Sequence, residues 1–182
     1  MANMVMAVGL PAVQAWLQRV PPPPLATVSE VAWAALPGRW YELAHLVRGD
    51  AQSPDSDPAG DGGPAEIHVR LREDGRIDFD TLRGADSGSS ETERAVAEPR
   101  PESAAQLRVS SWPTWLQWLP LAWHDEWVMH LDADVWLLGS PQRDVLRLLC
   151  RQERLAGARF EALLDLAHAQ GFPVERLRVA SR

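Results

Sequence analysis

Eight short segments of alternating apolar and polar side chains, each bounded by turn residues, confine this chain to a mainly β architecture. They run Arg39 to Val47, Ala65 to Leu71, Arg76 to Leu82, Thr92 to Glu98, Ala104 to Ser111, Glu126 to Leu131, Asp134 to Leu138 and Val145 to Arg151. In the second, Ile67, Val69 and Leu71 share one face while Glu66, His68 and Arg70 share the other. Glu73-Asp74-Gly75 is a hairpin turn of the Asp-Gly type. Such strands bury one face each, and closing them into an eight-stranded antiparallel up-and-down barrel leaves no exposed edge. A barrel of that size is wide enough to hold one small ligand.

One element breaks the period of two. Ala158 to Gln170 carries Phe160, Leu163, Leu164 and Ala167 at helical spacing, with Gly171 placed for a left-handed cap and Pro173 preventing continuation. The outer barrel wall is the surface available to its apolar stripe. A short final strand, Arg176 to Ala180, follows.

The domain division falls at the prolines. Residues 1–24 form an apolar segment, Met1 to Val20, and a polyproline spacer, Pro21 to Pro24; residues 25–182 form the barrel domain. The first segment reads as a degenerate signal, a docked helix or a disordered tail. Its first basic residue, Arg19, follows the apolar part, and it has no cysteine to carry a lipid. The polar stretch Gly49 to Pro64 lacks a calcium-loop pattern and reads as a solvated loop.

A net charge of −7 argues against a nucleic-acid partner. Cys150, the single cysteine, excludes an intrachain disulfide and reads as a packing residue, since no base is placed to activate it. His124, Asp125, Glu126, His130, Asp132 and Asp134 lack a recognised metal-ligand spacing and mostly fall in expected turns. His45, His68 and His168 read as surface or rim residues. No metal and no cofactor is expected.

Two blocks carry a family resemblance. GRWYELAHL, from Gly38, is followed about 100 residues later by GSPQRDVLRLLCRQERL, Gly139 to Leu155, then the helix and GFPVERLRVA. In this order, over Leu36 to Ala180, the chain resembles the lipocalins, and in particular the bacterial outer-membrane lipoprotein lipocalins. The resemblance implies a non-enzymatic carrier or store of small hydrophobic molecules such as fatty acids or lysophospholipids. It makes Trp40 the tryptophan of the barrel floor, beside Gly38, and Arg151 the arginine closing the eighth strand over it. Val145 and Arg147 depart from the family block, which tends to have aromatics there.

On the residues' own reading, Ile67, Val69, Ile77, Phe79, Leu107, Trp127, Met129 and Leu137 are the candidates to line a ligand cavity. They either leave room for a ligand or fill the barrel; Ala95 and Ala97, if inward, favour room. Five tryptophans crowd into Trp112 to Trp127. Of these Trp112, Trp115, Trp118 and Trp123 form a lid at the cavity mouth or a patch for peripheral membrane contact. The expected partner is one lipid-like molecule, on a monomer or weak dimer. Alternatives are an isomerase-like enzyme using the barrel as a cup, or a membrane-interface stress protein acting through the tryptophan-rich loop. The family suggests the outer membrane or periplasm; the missing lipidated cysteine points to the cytoplasm.

Overall fold

The computed structural model describes residues 23–46, 63–84 and 90–180. The expectations for Met1 to Val20 and for most of Gly49 to Pro64 lie outside them. Among the described residues nine strands form: β1 (Gly38–Leu46), β2 (Ala65–Leu71), β3 (Ile77–Gly84), β4 (Ser90–Pro99), β5 (Gln106–Ser110), β6 (His124–Leu131), β7 (Val135–Gly139), β8 (Leu146–Cys150) and β9 (Arg178–Val179). Successive strands pair antiparallel from β2 to β8, and β1 closes the ring by pairing with both β2 and β8. The result is the eight-stranded up-and-down barrel that the alternating segments imply, with β9 bonded outside it.

β1 serves two neighbours along its length. Gly38 to Glu42 pair with β2, after which the register against β8 shifts between Glu42 and Ala44. The extra residue puts Leu43 and Ala44 together on the outer face and leaves Glu42 and His45 facing inward. β9 then takes the edge that β2 has vacated, opposite Ala44 and His45. It thereby supplies donors and acceptors to backbone groups that would otherwise form an open edge.

Two apolar clusters divide the core. The inner one is built from alternate residues of nearly every strand, including Trp40, Ile67, Phe79, Leu107, Trp136 and Leu149. Val31 and Leu36 join it from the segment that crosses the floor before β1. The outer cluster unites Leu137, Leu146, Leu148 and Cys150 with the single α-helix of the described residues, α1 (Gly157–Ala169). From the expected stripe, Leu163 and Ala167 are buried while Phe160 and Leu164 are half-buried.

The helix ends as its sequence implies. Gly171 takes φ +89°, its N–H bonds to the His168 carbonyl, and the N–H of Phe172 reaches back to the Ala167 carbonyl. Phe172 is thereby turned into the outer cluster, where it meets β7 at Gly139. A Cβ on Gly139 would lie 2.6 Å from Phe172 Cζ and 2.6 Å from Met129 Sδ, so a bare backbone is what lets the ring seat there. Arg143, with φ 60°, ties this corner together by donating to the carbonyls of Gln170, Pro141 and Pro23.

Three of the proposed cavity residues change sides. Trp127, Met129 and Leu137 lie on the outer wall against the helix, while Trp136 and Leu138 point inward. A register shift between Val128 and His130 also separates Leu131, packed on the inner cluster, from Trp127 and Met129. The reason is the helix: where it covers the wall, β6 to β8 carry apolar residues outside as well as inside, and alternation no longer marks which face is inward.

Candidate functional site

The barrel is closed at the end where β1 begins. Gly38, at φ +117°, turns the chain so that Trp40 enters the interior, and a Cβ there would approach Arg151 Nη1 to 3.0 Å. The Arg151 guanidinium lies 3.9 Å from the centre of the Trp40 ring. Its Nη1 donates to the carbonyls of Pro37 (3.3 Å) and Arg39 (3.2 Å), and its Nη2 to those of Ala35 (3.0 Å) and Leu36 (3.3 Å). The indole N–H of Trp40 takes the Leu36 carbonyl at 2.9 Å. One planar cation thus stacks on the floor tryptophan and satisfies the carbonyls of the segment beneath it, the geometry in which arginine surpasses lysine.

Above this floor the lower interior is filled by side chains. Ile67, Val69, Ile77, Phe79 and Leu107 all face inward and are almost wholly buried. Trp136 sits among them, its ring 5.8 Å from Trp40 and 5.7 Å from Phe79. Ala95 and Ala97 also belong to this layer. A shallow open recess of about 450 Å³ lies elsewhere, by Gly38, His68, Arg70, Asp80 and Arg94. Its charged groups are solvated partners of one another and build nothing convergent.

The next layer toward the open end is charged. Arg147, inward on β8, places its guanidinium 5.7 Å from the Phe79 ring centre. Its Nε donates to Glu42 Oε1 at 2.9 Å, and its Nη1 lies 3.8 Å from Glu126 Oε2. Arg83 Nη2 donates to Glu42 Oε2 at 3.1 Å. Glu126 Oε1 meets His124 Nε2 at 2.9 Å. Glu42 and Glu126 are both buried, at 5% and 2% exposure.

The environment decides which of these groups is charged. Burial alone would raise the Glu42 pKa, but Arg147, His45 and Arg83 outweigh it and hold the carboxyl below its ordinary value. Burial also opposes charge on Arg147, and there Glu42 and Glu126 prevail, so its pKa is raised. His45 Nδ1 is 3.5 Å from Glu42 Oε2, yet burial, aided by Arg83 and Arg147, pushes its pKa down. At neutral pH this contact therefore involves a neutral imidazole. Acid acts on both groups with one sign. Each binds protons more weakly folded than unfolded, so their stability is complete above the ordinary values of 6.5 for His45 and 4.5 for Glu42. It is lost as the pH falls from those values toward the lower folded ones.

This layer escaped the sequence reading, which treated His45 as a rim residue and placed most of His124, Glu126 and their neighbours in turns. β6 starts two residues earlier than expected, bringing His124 and Asp125 onto the strand ahead of Glu126. A cue was present for Glu42: it stands two residues after the inward Trp40 and so shares its face. Asp132 is different. It closes the β6–β7 turn by accepting the N–H groups of Asp134 and Val135, with His130 and Arg159 on its other oxygen. His68 and His168 are exposed, and Cys150 is buried in the outer cluster.

The tryptophan-rich connection spans β5 to β6 at the open end. It forms two short 3₁₀ turns, Thr114–Leu116 and Pro120–Ala122, as its prolines require. Trp115 and Trp118 are 72% and 76% exposed, and Trp112 and Leu121 are exposed beside them. Trp123 is held differently: Arg108 stacks on it at 5.0 Å and its N–H bonds to the Gln117 carbonyl.

A barrel closed at one end by a glycine, a tryptophan and an arginine matches what sequence comparison finds. No curated protein matches the chain. The family model described as a lipocalin-like domain matches residues 34–182, a span that includes every strand of the barrel and the helix. That family consists generally of non-enzymatic proteins that bind small hydrophobic ligands. With its barrel complete and its match extending over most of its length, the chain belongs to the lipocalin-like family.

Proposed function

We propose that this protein carries or stores a single-chain amphipathic lipid, taken up through the open end of the barrel. The observation that carries the reading is the segment Ser111 to Trp123. It has no charged side chain, and it presents Trp112, Trp115, Trp118 and Leu121 to solvent at the mouth. Exposed aromatics grouped in this way mark a surface built to meet an apolar partner. The filled lower interior supports a ligand whose chain lies near the mouth rather than along the whole barrel. Lysophospholipids and fatty acids are the classes that fit one chain with one polar end, and the general binding of small hydrophobic ligands in the lipocalin-like family supports the same choice.

The test is native mass spectrometry of the purified protein, followed by titration of intrinsic tryptophan fluorescence with lauroyl lysophosphatidylcholine. One lipid per chain and a saturable fluorescence change are expected. Replacing Trp115 and Trp118 together by Ser is expected to weaken binding by about tenfold or more, the scale of about 1.4 kcal/mol of lost apolar contact. A protein that carries no lipid and shows no saturable response would overturn the reading.

A further inference from the structure

We propose that the charged layer inside the barrel is a headgroup subsite, with Glu126 receiving the ammonium end of the ligand. The inference rests on the carrier reading and specifies the chemistry of its polar end. Glu126 is a carboxylate at 2% exposure whose two oxygens are unequally served. Oε1 has His124, whereas Oε2 has no hydrogen-bond partner among the described residues. Its nearest cation, Arg147 Nη1, stands 3.8 Å away, because that arginine directs its Nε to Glu42 at 2.9 Å. Arg83 is also engaged by Glu42.

A carboxylate only accepts hydrogen bonds, so whatever completes Glu126 must donate. Buried acceptors without donors are costly, and the one cation near Oε2, Arg147, stands beyond hydrogen-bond distance. A primary ammonium supplies the donors that Oε2 lacks, and a positive charge closer to it than Arg147 Nη1 at 3.8 Å. A fatty-acid carboxylate would instead add an anion beside Glu42 and Glu126, which already share Arg147. Phe79 and Trp136 fill the barrel beneath, so the head stops at this level and the chain runs back toward the tryptophans of the mouth. An alkylamine and the ethanolamine end of a zwitterionic lysolipid share this chemistry.

The experiment compares dodecylamine, 1-dodecanol and dodecanoate by tryptophan fluorescence titration at pH 8. There histidine is ordinarily neutral and an alkylammonium still charged. Dodecylamine is expected to bind at least about tenfold more tightly than either competitor, the scale of one charge-assisted hydrogen bond. Glu126→Gln keeps the shape of the side chain, and it is expected to erase that preference, dodecylamine losing at least about tenfold in affinity relative to dodecanol. Equal binding of amine and alcohol by the unaltered protein overturns the subsite, as does a preference that survives Glu126→Gln. That comparison needs no variant, so it stands even where the substitution disturbs folding. Binding of none of the three compounds overturns the carrier reading itself, whereas dodecanol bound without an amine preference removes only the subsite. Lauroyl lysophosphatidylethanolamine, set against lauroyl lysophosphatidylglycerol, then separates the two sources: tighter binding of the former assigns the ammonium to a lysolipid, and equal binding assigns it to an alkylamine.

Discussion

Replacing Arg147 by Met is expected to lower the unfolding free energy by about 3–5 kcal/mol, the range for stranding buried charges by removing their partner. Met retains most of the apolar stem over Phe79, so the loss is chiefly electrostatic. Glu42 would keep Arg83, which lies nearer solvent and reaches only one oxygen, while Glu126 would keep His124 alone. Urea denaturation at pH 7.5 measures the effect. The pH dependence identifies its origin. Without Arg147 the burial of Glu42 dominates, its folded pKa rises, and protonating it on acidification now relieves the variant. The stability gap between the two proteins is therefore expected to narrow as the pH falls toward 4.5, the ordinary value of this carboxyl. Adding Glu42→Gln to Arg147→Met should recover part of the loss at neutral pH. A gap that is small, or that does not change with pH, would show that the network contributes little.

Arg151→Ala is expected to destabilise the fold by about 2–4 kcal/mol. The cation–π pair, with Arg151 half-buried, contributes about 1 kcal/mol, and the guanidinium's hydrogen bonds to the carbonyls of the floor segment together add about 1–3 kcal/mol. The four carbonyls at stake belong to Ala35, Leu36, Pro37 and Arg39, so the substitution loosens the floor segment as well as uncovering Trp40. Arg151→Lys keeps the charge but has no planar fork to stack and bridge, and should recover less than half of the loss. Guanidinium denaturation midpoints of the three proteins decide it. A midpoint for Arg151→Ala within about 0.5 kcal/mol of the unaltered protein would mean that the floor is held by apolar packing alone.

The parts of this molecule that were readable in advance are those where one local rule acts alone. β2 and β3 have water on one face, so Ile67, Val69, Ile77 and Phe79 could be assigned to the interior from alternation. Glu73-Asp74-Gly75 and Gly171-Phe172-Pro173 are governed by backbone sterics, and Gly75 and Gly171 take the positive φ that their positions imply. Trp127, Met129 and Leu137 were misplaced because α1 covers β6 to β8 from outside. The helix gives those strands a second apolar face, and the register shift in β6 then changes the phase.

The charged layer shows the same limit more sharply. Glu42, His45, Glu126 and Arg147 are polar letters, and polar letters in alternating strands usually mean the solvated face. His45 turns inward because of the extra residue in β1, and the layer depends on partners as much as 105 positions apart in sequence, as in Glu42 and Arg147. The amino-acid sequence by itself determined the barrel and its helix, because period, turn chemistry and cap residues are local, while the Gly38–Trp40–Arg151 floor was implied only by the resemblance to the lipocalins. Only the tertiary structure decided what the barrel encloses. Burying a carboxylate is tolerable solely where a distant strand supplies the matching cation, and that pairing is a property of the closed ring.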